Sequence, residues 1–365
     1  MSGATPSFVD FVRRGDPLVS CVVPIYNKAA YLHEAVESLL AQEYAQMEII
    51  IVDDGSTDHS VKIAESLAAS DQTRRIRVKR KQNGGISDAR NAGIAEAKGR
   101  VVLCLDADDI AQPTFLKKAL TAMRSEGANL VCSDVELFGS ETGEWIPEPY
   151  DPYYIRYNNS VPTLAVFDRE LWVKTGGYKV AIPFAEDWEF FINCSRYDLV
   201  VKKIPEKLFR YRRTNDGLLT NYLKDKWEQP VSLMMLANED LYNIKDVEFA
   251  QGAVVKGGQS WLEKFRRQDA QHPNEWLLKF VLGIYEEAAG NRQRALELYG
   301  QAAHLSKLKA WLPLYRIALI VESQGQVPAA EDLYHQVRIL RPDMHFMVGT
   351  KADERNKRAK SAPKP

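Results

Sequence analysis

From Pro17 to Val135 short apolar runs alternate with longer amphipathic stretches: SCVVPIY, YLHEAVESLLAQ, MEIIIVDD, SVKIAESLAAS, IRVKR, ISDARNAGIAEAKG and RVVLCLDADD. Unbroken apolar runs of this length read as strands covered on both faces, and the amphipathic stretches between them as helices. Strands alternating with helices require right-handed crossovers, so the pattern predicts an α/β domain with a mostly parallel sheet and helices on both faces. In open sheets of this kind ligands collect beyond the carboxyl ends of the strands. Asn27, Asp53, Asp54 and Asp106 are all expected there.

Between Phe138 and Val161 the run GSETGEWIPEPYDPYYIRYNNS is rich in Pro, Gly, Tyr and Asn, which suits an irregular excursion on the acceptor side of a site. Regular pattern resumes with FDRELWVKTGG, a helix closed by glycine, and EDWEFFINCSRYD, a helix entered through acidic residues. After about Asn221 strand signals stop, and helices are expected to about Leu340. Gly290 and Gly325, Ala295 and Ala330, and Tyr299 and Tyr334 each recur at an interval of 35 residues, close to the tetratricopeptide period. Small residues at helix contacts, an aromatic four residues on and a turn glycine are what stacked helical hairpins need. The expected organisation is an α/β domain over 1–220, a tetratricopeptide-like all-α domain over 221–345 and a basic, disordered tail over 346–365.

Composition narrows the function. Lys plus Arg number 48 against 49 Asp plus Glu, so no global basic field exists to hold a polynucleotide, and nucleic acid is not an expected partner. The first residues lack a signal-peptide core, and no stretch approaches the roughly 18 apolar residues of a membrane span. A cytoplasmic protein is expected, with at most peripheral membrane contact through its basic tail. Cys21, Cys104, Cys132 and Cys194 sit singly in apolar surroundings and read as reduced core thiols.

Three motifs carry candidate chemistry. VDDGSTD places Asp53 and Asp54 at a strand end followed by residues that turn the chain and cap a helix. A plain Asx turn needs one such acid; the second suits a ligand's imide or hydroxyl. LDADD repeats the device with Asp106, Asp108 and Asp109, which read as a solvated turn or as oxygen donors for a hard cation such as Mg2+ or Mn2+. NGGISDARNAG, between them, puts paired glycines ahead of a helix carrying Arg90, where free amides and a guanidinium suit an anionic ligand and a stacked base.

VVPIYN, VDDGSTD, NGGISDARNAG, LDADD, GGY and AEDWEF occur in the order and approximate spacing of glycosyltransferase family 2, and over residues 17–220 the chain resembles that family. The resemblance implies the GT-A nucleotide-diphospho-sugar transferase fold, a nucleotide-sugar donor with UDP-sugar first in line, and Mn2+ or Mg2+. Pro24, Tyr26 and Asn27 would form the first nucleotide-contacting turn; of Asp53 and Asp54, the latter would face the base, and Arg90 would touch the nucleotide. Asp106 and Asp108, flanking Ala107, match the DXD motif: Asp106 toward the nucleoside and the metal, Asp108 on the metal, with Asp109 the alternative ligand. Glu186 and Asp187 match the family's acidic pair, whose Asp is the general base of inverting enzymes. FRYRRTNDG stands where processive members have QxxRW, which favours single transfer and leaves Arg210 and Arg212 to hold the diphosphate.

The expected function is an inverting, non-processive hexosyltransferase-type enzyme acting on a cell-surface glycan, a lipid-linked sugar or a peptide or protein. The helical domain would bind the acceptor or pair two copies of the chain. The competing expectation is a non-catalytic scaffold that senses a nucleotide and binds a protein partner through its repeats. A nucleotidyltransferase fits less well, because PIYNKAAY stands where such enzymes carry a Gly-rich, basic loop after the first strand.

Overall fold

A computed structural model of the protein describes residues 8–13, 15–215 and 228–344. Contacts divide the chain into two units, Met1–Trp227 and Glu228–Pro365. The expected boundary at 220/221 and the tail from 346 lie outside the described residues.

In the first unit, α1 (Phe8–Arg13) precedes four parallel strands, β1 (Val19–Ile25), β2 (Met47–Asp53), β3 (Ile76–Arg80) and β4 (Val101–Cys104), in the order β3-β2-β1-β4. Every residue of β1 and β2 is buried, as two covered faces demand. The crossovers are α2 (Leu32–Leu40), α3 (Ser60–Ser70) and α4 (Ile86–Glu96). α2 buries Leu32, Ala35, Val36 and Leu39, a three-and-four spacing that puts one stripe on the core; each large aliphatic among them contributes about 1.5–3 kcal/mol. α4 lies close on the sheet because it has glycine at position 93, where a Cβ would collide with Val22 Cγ1.

Beyond β4 the sheet becomes mixed, a difference from the mostly parallel expectation. β5 (Ile110–Ala111), α5 (Phe115–Glu126), β6 (Leu130–Gly139), β7 (Gly143–Trp145), β8 (Val166–Asp168), α6 (Arg169–Thr175), α7 (Glu186–Cys194) and β9 (Val201–Arg213) follow. β8 runs antiparallel to both β4 and β6, β7 to β6 and β5 to β9, while β6 and β9 are parallel. The short β6–β7 connection permits only an antiparallel pair, and β8 arrives from the Tyr/Pro-rich segment without a crossover α-helix to reverse it. α6 ends at Gly176 in the left-handed conformation and α7 opens on Glu186 and Asp187, as the sequence predicts.

The second unit is helical: α8 (Glu228–Ala237), α9 (Ile244–Val255), α10 (Gly258–Gln271), α11 (Trp276–Ala288), α12 (Arg292–Leu305), α13 (Trp311–Ser323) and α14 (Val327–Leu340). The 35-residue interval is written into its contacts. Tyr299 donates its hydroxyl to Glu287 at 2.7 Å and packs on Phe280; Tyr334 donates to Glu322 at 3.0 Å and packs on Tyr315. Gly290 and Gly325 hold φ of 85° and 82° at the two turns. No helix among the described residues is long and apolar enough to cross a membrane. All four cysteines are free and buried, and burial pushes the Cys104 thiol up to about 11 and Cys132 up to about 12.

Candidate active site

The sheet brings the expected residues to one edge. Pro24 pairs in register with Val52 on β2, while β4 has already left the ladder after Cys104, so the missing Pro24 N–H leaves no gap on that side. Tyr26, just past β1, is about half exposed. Asn27 has φ of 53°, a conformation that Asn tolerates. Its Oδ1 accepts from the Thr57 amide at 2.8 Å and the Asp58 amide at 3.3 Å, and its own N–H donates to Ser56 Oγ at 3.0 Å. Asn27 therefore staples the β1 turn to the VDDGSTD turn.

Asp53 and Asp54 are both buried. Asp53 accepts from the Ser56 amide at 3.1 Å, the Asx-turn role. Asp54 accepts from the amides of Gly84 at 2.9 Å and Gly85 at 2.8 Å and pairs with Lys81 at 2.6 Å. The sequence expectation was that these amides, at the α4 N-terminus, would meet an anionic ligand. Here the anion is Asp54 itself, so the NGG turn is fixed from inside, and Asp54 has both oxygens engaged rather than turned toward a base.

Arg90 differs more sharply from expectation. Its side chain is 1% exposed and spans Asp106, at 2.6 Å, and Glu186, with its guanidinium 5.4 Å from the Tyr178 ring centre. Two carboxylates and a tyrosine take up its charge and its face, so it reaches the site through these partners rather than by stacking on a base. Burial opposes the Arg90 charge, but the two acids more than restore it. Burial also pushes the Glu186 carboxyl up to about 7 against the pull of Arg90, with Asp187 adding to the rise. Asn91, next on α4, holds the GGY turn, accepting from Trp172 Nε1 at 2.8 Å and the Tyr178 amide at 2.9 Å.

At the β4 end, Ala107 is buried and Asp106 and Asp108 are partly exposed. Asp108 pairs with Lys28. Burial alone would push the Lys28 ammonium down, yet Asp108, with Asp106 and Asp109 behind it, holds it above its usual value. Asp109 is buried; its Oδ1 accepts from the Arg212 amide at 2.8 Å, and its Oδ2 has no hydrogen-bond partner among the described residues. Burial and the neighbouring Asp108 and Asp106 drive its carboxyl well above the carboxylate range. Arg212 is also spent locally, donating Nε to the Asp108 carbonyl at 2.8 Å and pairing with Glu34; Arg210 pairs with Glu136 at 3.0 Å, its register partner across β6 and β9. Both arginines brace the acidic turn and the sheet.

These pairings test the expected cation. Asp106 lies on Arg90, Asp108 on Lys28 and Asp109 faces inward, and the described residues contain no group of three His, Cys, Asp or Glu side chains arranged to hold a metal ion. The donor set as it stands does not fit a divalent cation.

Asp187, at the start of α7, is partly exposed. Its Oδ2 accepts from the Thr163 hydroxyl and its Oδ1 from the Trp188 amide at 2.8 Å. Trp188 in turn donates Nε1 to the Ile155 carbonyl at 2.5 Å, tying the tyrosine-rich segment to α7. Tyr153, Tyr154 and Tyr157 of that segment are exposed. Sequence reasoning missed Lys28, Lys81, Thr163 and Tyr178. Only Tyr178 had a visible signal, the GGY turn itself; the others are single polar residues outside any periodic pattern.

A family model described as Glycosyl transferase family 2 matches residues 20–173. The glycosyltransferase GlyG of Streptococcus pneumoniae serotype 4 is 38% identical over 203 residues, 55% of this chain and 60% of that protein. The uncharacterised glycosyltransferase EpsJ of Bacillus subtilis is 28% identical over 243 residues, 62% of this chain and 70% of that protein. The chain thus spans less than two thirds of the pneumococcal relative. Among solved structures, S. aureus TarS 1-349 in complex with UDP-GlcNAc aligns over 88% of this chain and 91% of that one at 15% identity, with a TM-score of 0.50. The GT-A-type fold implied by the resemblance, followed by helices, is the fold observed, with a mixed rather than mostly parallel sheet.

Proposed function

We propose that the first unit, whose residues 20–173 match the Glycosyl transferase family 2 model, moves a sugar from a nucleoside-diphosphate donor, UDP-sugar first, to an acceptor hydroxyl by single, inverting transfer. The observation that carries the mechanism is the chain Asp106–Arg90–Glu186, built on a buried guanidinium, which links the β4 end to the first residue of α7, next to Asp187. Donor edge and base are thereby held in one frame, as a reaction governed by positioning requires.

Asp187 is the general base. Its carboxylate has two oxygens and about four lone-pair directions, of which Thr163 and Trp188 take one each. The rest are free to receive the acceptor proton as its oxygen attacks the anomeric carbon. The bond from that carbon to the phosphate oxygen breaks on the opposite side, and the diphosphate leaves with the electron pair. The ammonium of Lys28, at the mouth of the acidic turn, supports the charge that develops there. Exposed Tyr153, Tyr154 and Tyr157, on a segment tied to α7, offer faces on which sugar rings stack, and this favours a glycan acceptor over a peptide.

The test is nucleotide release from UDP, GDP, TDP and CMP sugars with an oligosaccharide acceptor panel. Asp187→Asn should lower turnover about 10²–10⁴-fold while donor affinity stays within a few-fold. Release by the variant at the wild-type rate would remove Asp187 from the mechanism.

A further inference from the structure

The acidic turn after β4 comes with its own cation. Lys28 begins from a fixed point: its N–H donates to Ser60 Oγ at 2.8 Å, and its carbonyl accepts from Tyr31 and Leu32, each at 3.0 Å. Asp108 is fixed as well, its carbonyl held by Arg212 Nε at 2.8 Å. The ion pair therefore joins two anchored residues across 80 positions of sequence. The Lys28 side chain is 34% exposed and that of Asp108 18%, so Lys28 is the more accessible member of the pair.

We propose that Lys28 is the resident cation of this turn: it occupies the Asp108 carboxylate, receives the donor's diphosphate, and competes with any divalent ion for that carboxylate. An ammonium has three donors; Asp108 takes one, which leaves two for phosphate oxygens. A divalent ion, by contrast, needs several oxygens at about 2.0–2.6 Å. To gather them here it would have to expel Lys28 from Asp108 and pull Asp106 off a buried guanidinium. Charge balance points the same way, because each partly exposed acid of the turn already has one basic partner. The diphosphate half of the proposal rests on the donor reading above; the hold on Asp108 does not.

Two titrations test it. Mn2+ alone is titrated, by the loss of its free-ion spin-resonance signal, into wild type, Lys28→Met and Lys28→Met/Asp108→Asn. Releasing a carboxylate from a charged hydrogen-bond partner should tighten Mn2+ binding by about tenfold in the single variant, and Asp108→Asn should cancel the gain. UDP is then titrated calorimetrically in the presence of chelator. Lys28→Met should weaken it by about ten- to a hundredfold, and Lys28→Arg, which keeps the charge, by far less. Melting midpoints close to wild type certify the fold of each variant. Equal Mn2+ affinity in wild type and Lys28→Met overturns the competition, and equal UDP affinity without metal overturns the diphosphate role. If wild type binds neither UDP nor GDP, TDP or CMP, the donor reading itself falls, while the Mn2+ titration still decides whether Lys28 holds Asp108.

Discussion

Replacing Arg90 by Met keeps an unbranched apolar stem, shorter than that of Arg, and removes the buried charge that Asp106 and Glu186 share. Breaking a buried pair from one side costs about 3–5 kcal/mol, because the remaining acids stay desolvated without compensation. For a unit of this size each kcal/mol moves the melting midpoint by about 2–4 °C, so the variant should melt roughly 6–20 °C below wild type at pH 8. The deficit carries a pH signature. In wild type Glu186 already titrates at about 7 against a usual value of 4.5, chiefly because it is buried. Without Arg90 its folded value rises further. A carboxyl that binds its proton more readily folded than unfolded loses stability as pH rises from the unfolded value through the folded one. The penalty should therefore be greatest at pH 8 and shrink toward pH 5. Scanning calorimetry across that range measures both features, and Arg90→Met/Glu186→Gln, which removes the stranded acid, should recover part of the loss. A variant that melts within about 2 °C of wild type at every pH would refute the idea that Arg90 is spent inside the protein, and would return it to direct contact with the nucleotide.

Asn27→Ala should cost about 1–3 kcal/mol and weaken nucleotide binding, since two amides lose their acceptor and φ of 53° is strained for Ala; Asn27→Gly, which relieves the strain but not the lost bonds, separates the two in melting curves. Gly283→Ala should destabilise the helical unit by about 1–3 kcal/mol, because a Cβ there meets Tyr299 Cε1 at 2.5 Å, whereas Gly300→Ala, with open space around it, should be neutral or stabilising in urea unfolding. Glu239 is buried at the start of α13, accepting from the Trp311 amide at 2.6 Å, and burial pushes its carboxyl up to about 8 from 4.5. Its contribution to stability therefore falls as pH rises from about 4.5 to 8, and Glu239→Gln should flatten the melting profile of this unit over that window.

What the sequence made legible follows the range of the interaction that each element needs. β1 and β2 could be read because strands covered on both faces must be apolar throughout, a property of seven consecutive residues each. The helical repeat could be read for the same reason: hairpin contacts such as Tyr299 with Glu287 and Tyr334 with Glu322 span 12 residues and recur at a fixed step. The same step carries Phe280 onto Tyr315, a pair that the interval could have identified in advance. The site divides along this line. Which residues reach the strand ends is a local question, and Asn27, Asp53, Asp54 and Asp106 stand there, with Asp187 in the first turn of a helix. Which of them pair with one another is decided across 80 residues for Lys28 and Asp108 and 96 for Arg90 and Glu186, where no periodicity acts. Motif reading assigned each polar group to a ligand, since a ligand is the partner that the chain itself does not display. Once folded, Asp54 meets the glycine amides and Arg90 the two acids, while Asp187 and Lys28 stay partly exposed with hydrogen-bonding capacity to spare. The catalytic proposal accordingly concentrates on fewer residues than the motifs suggested, with Arg90 and Arg212 fixing Glu186 and Asp108, the neighbours of those two.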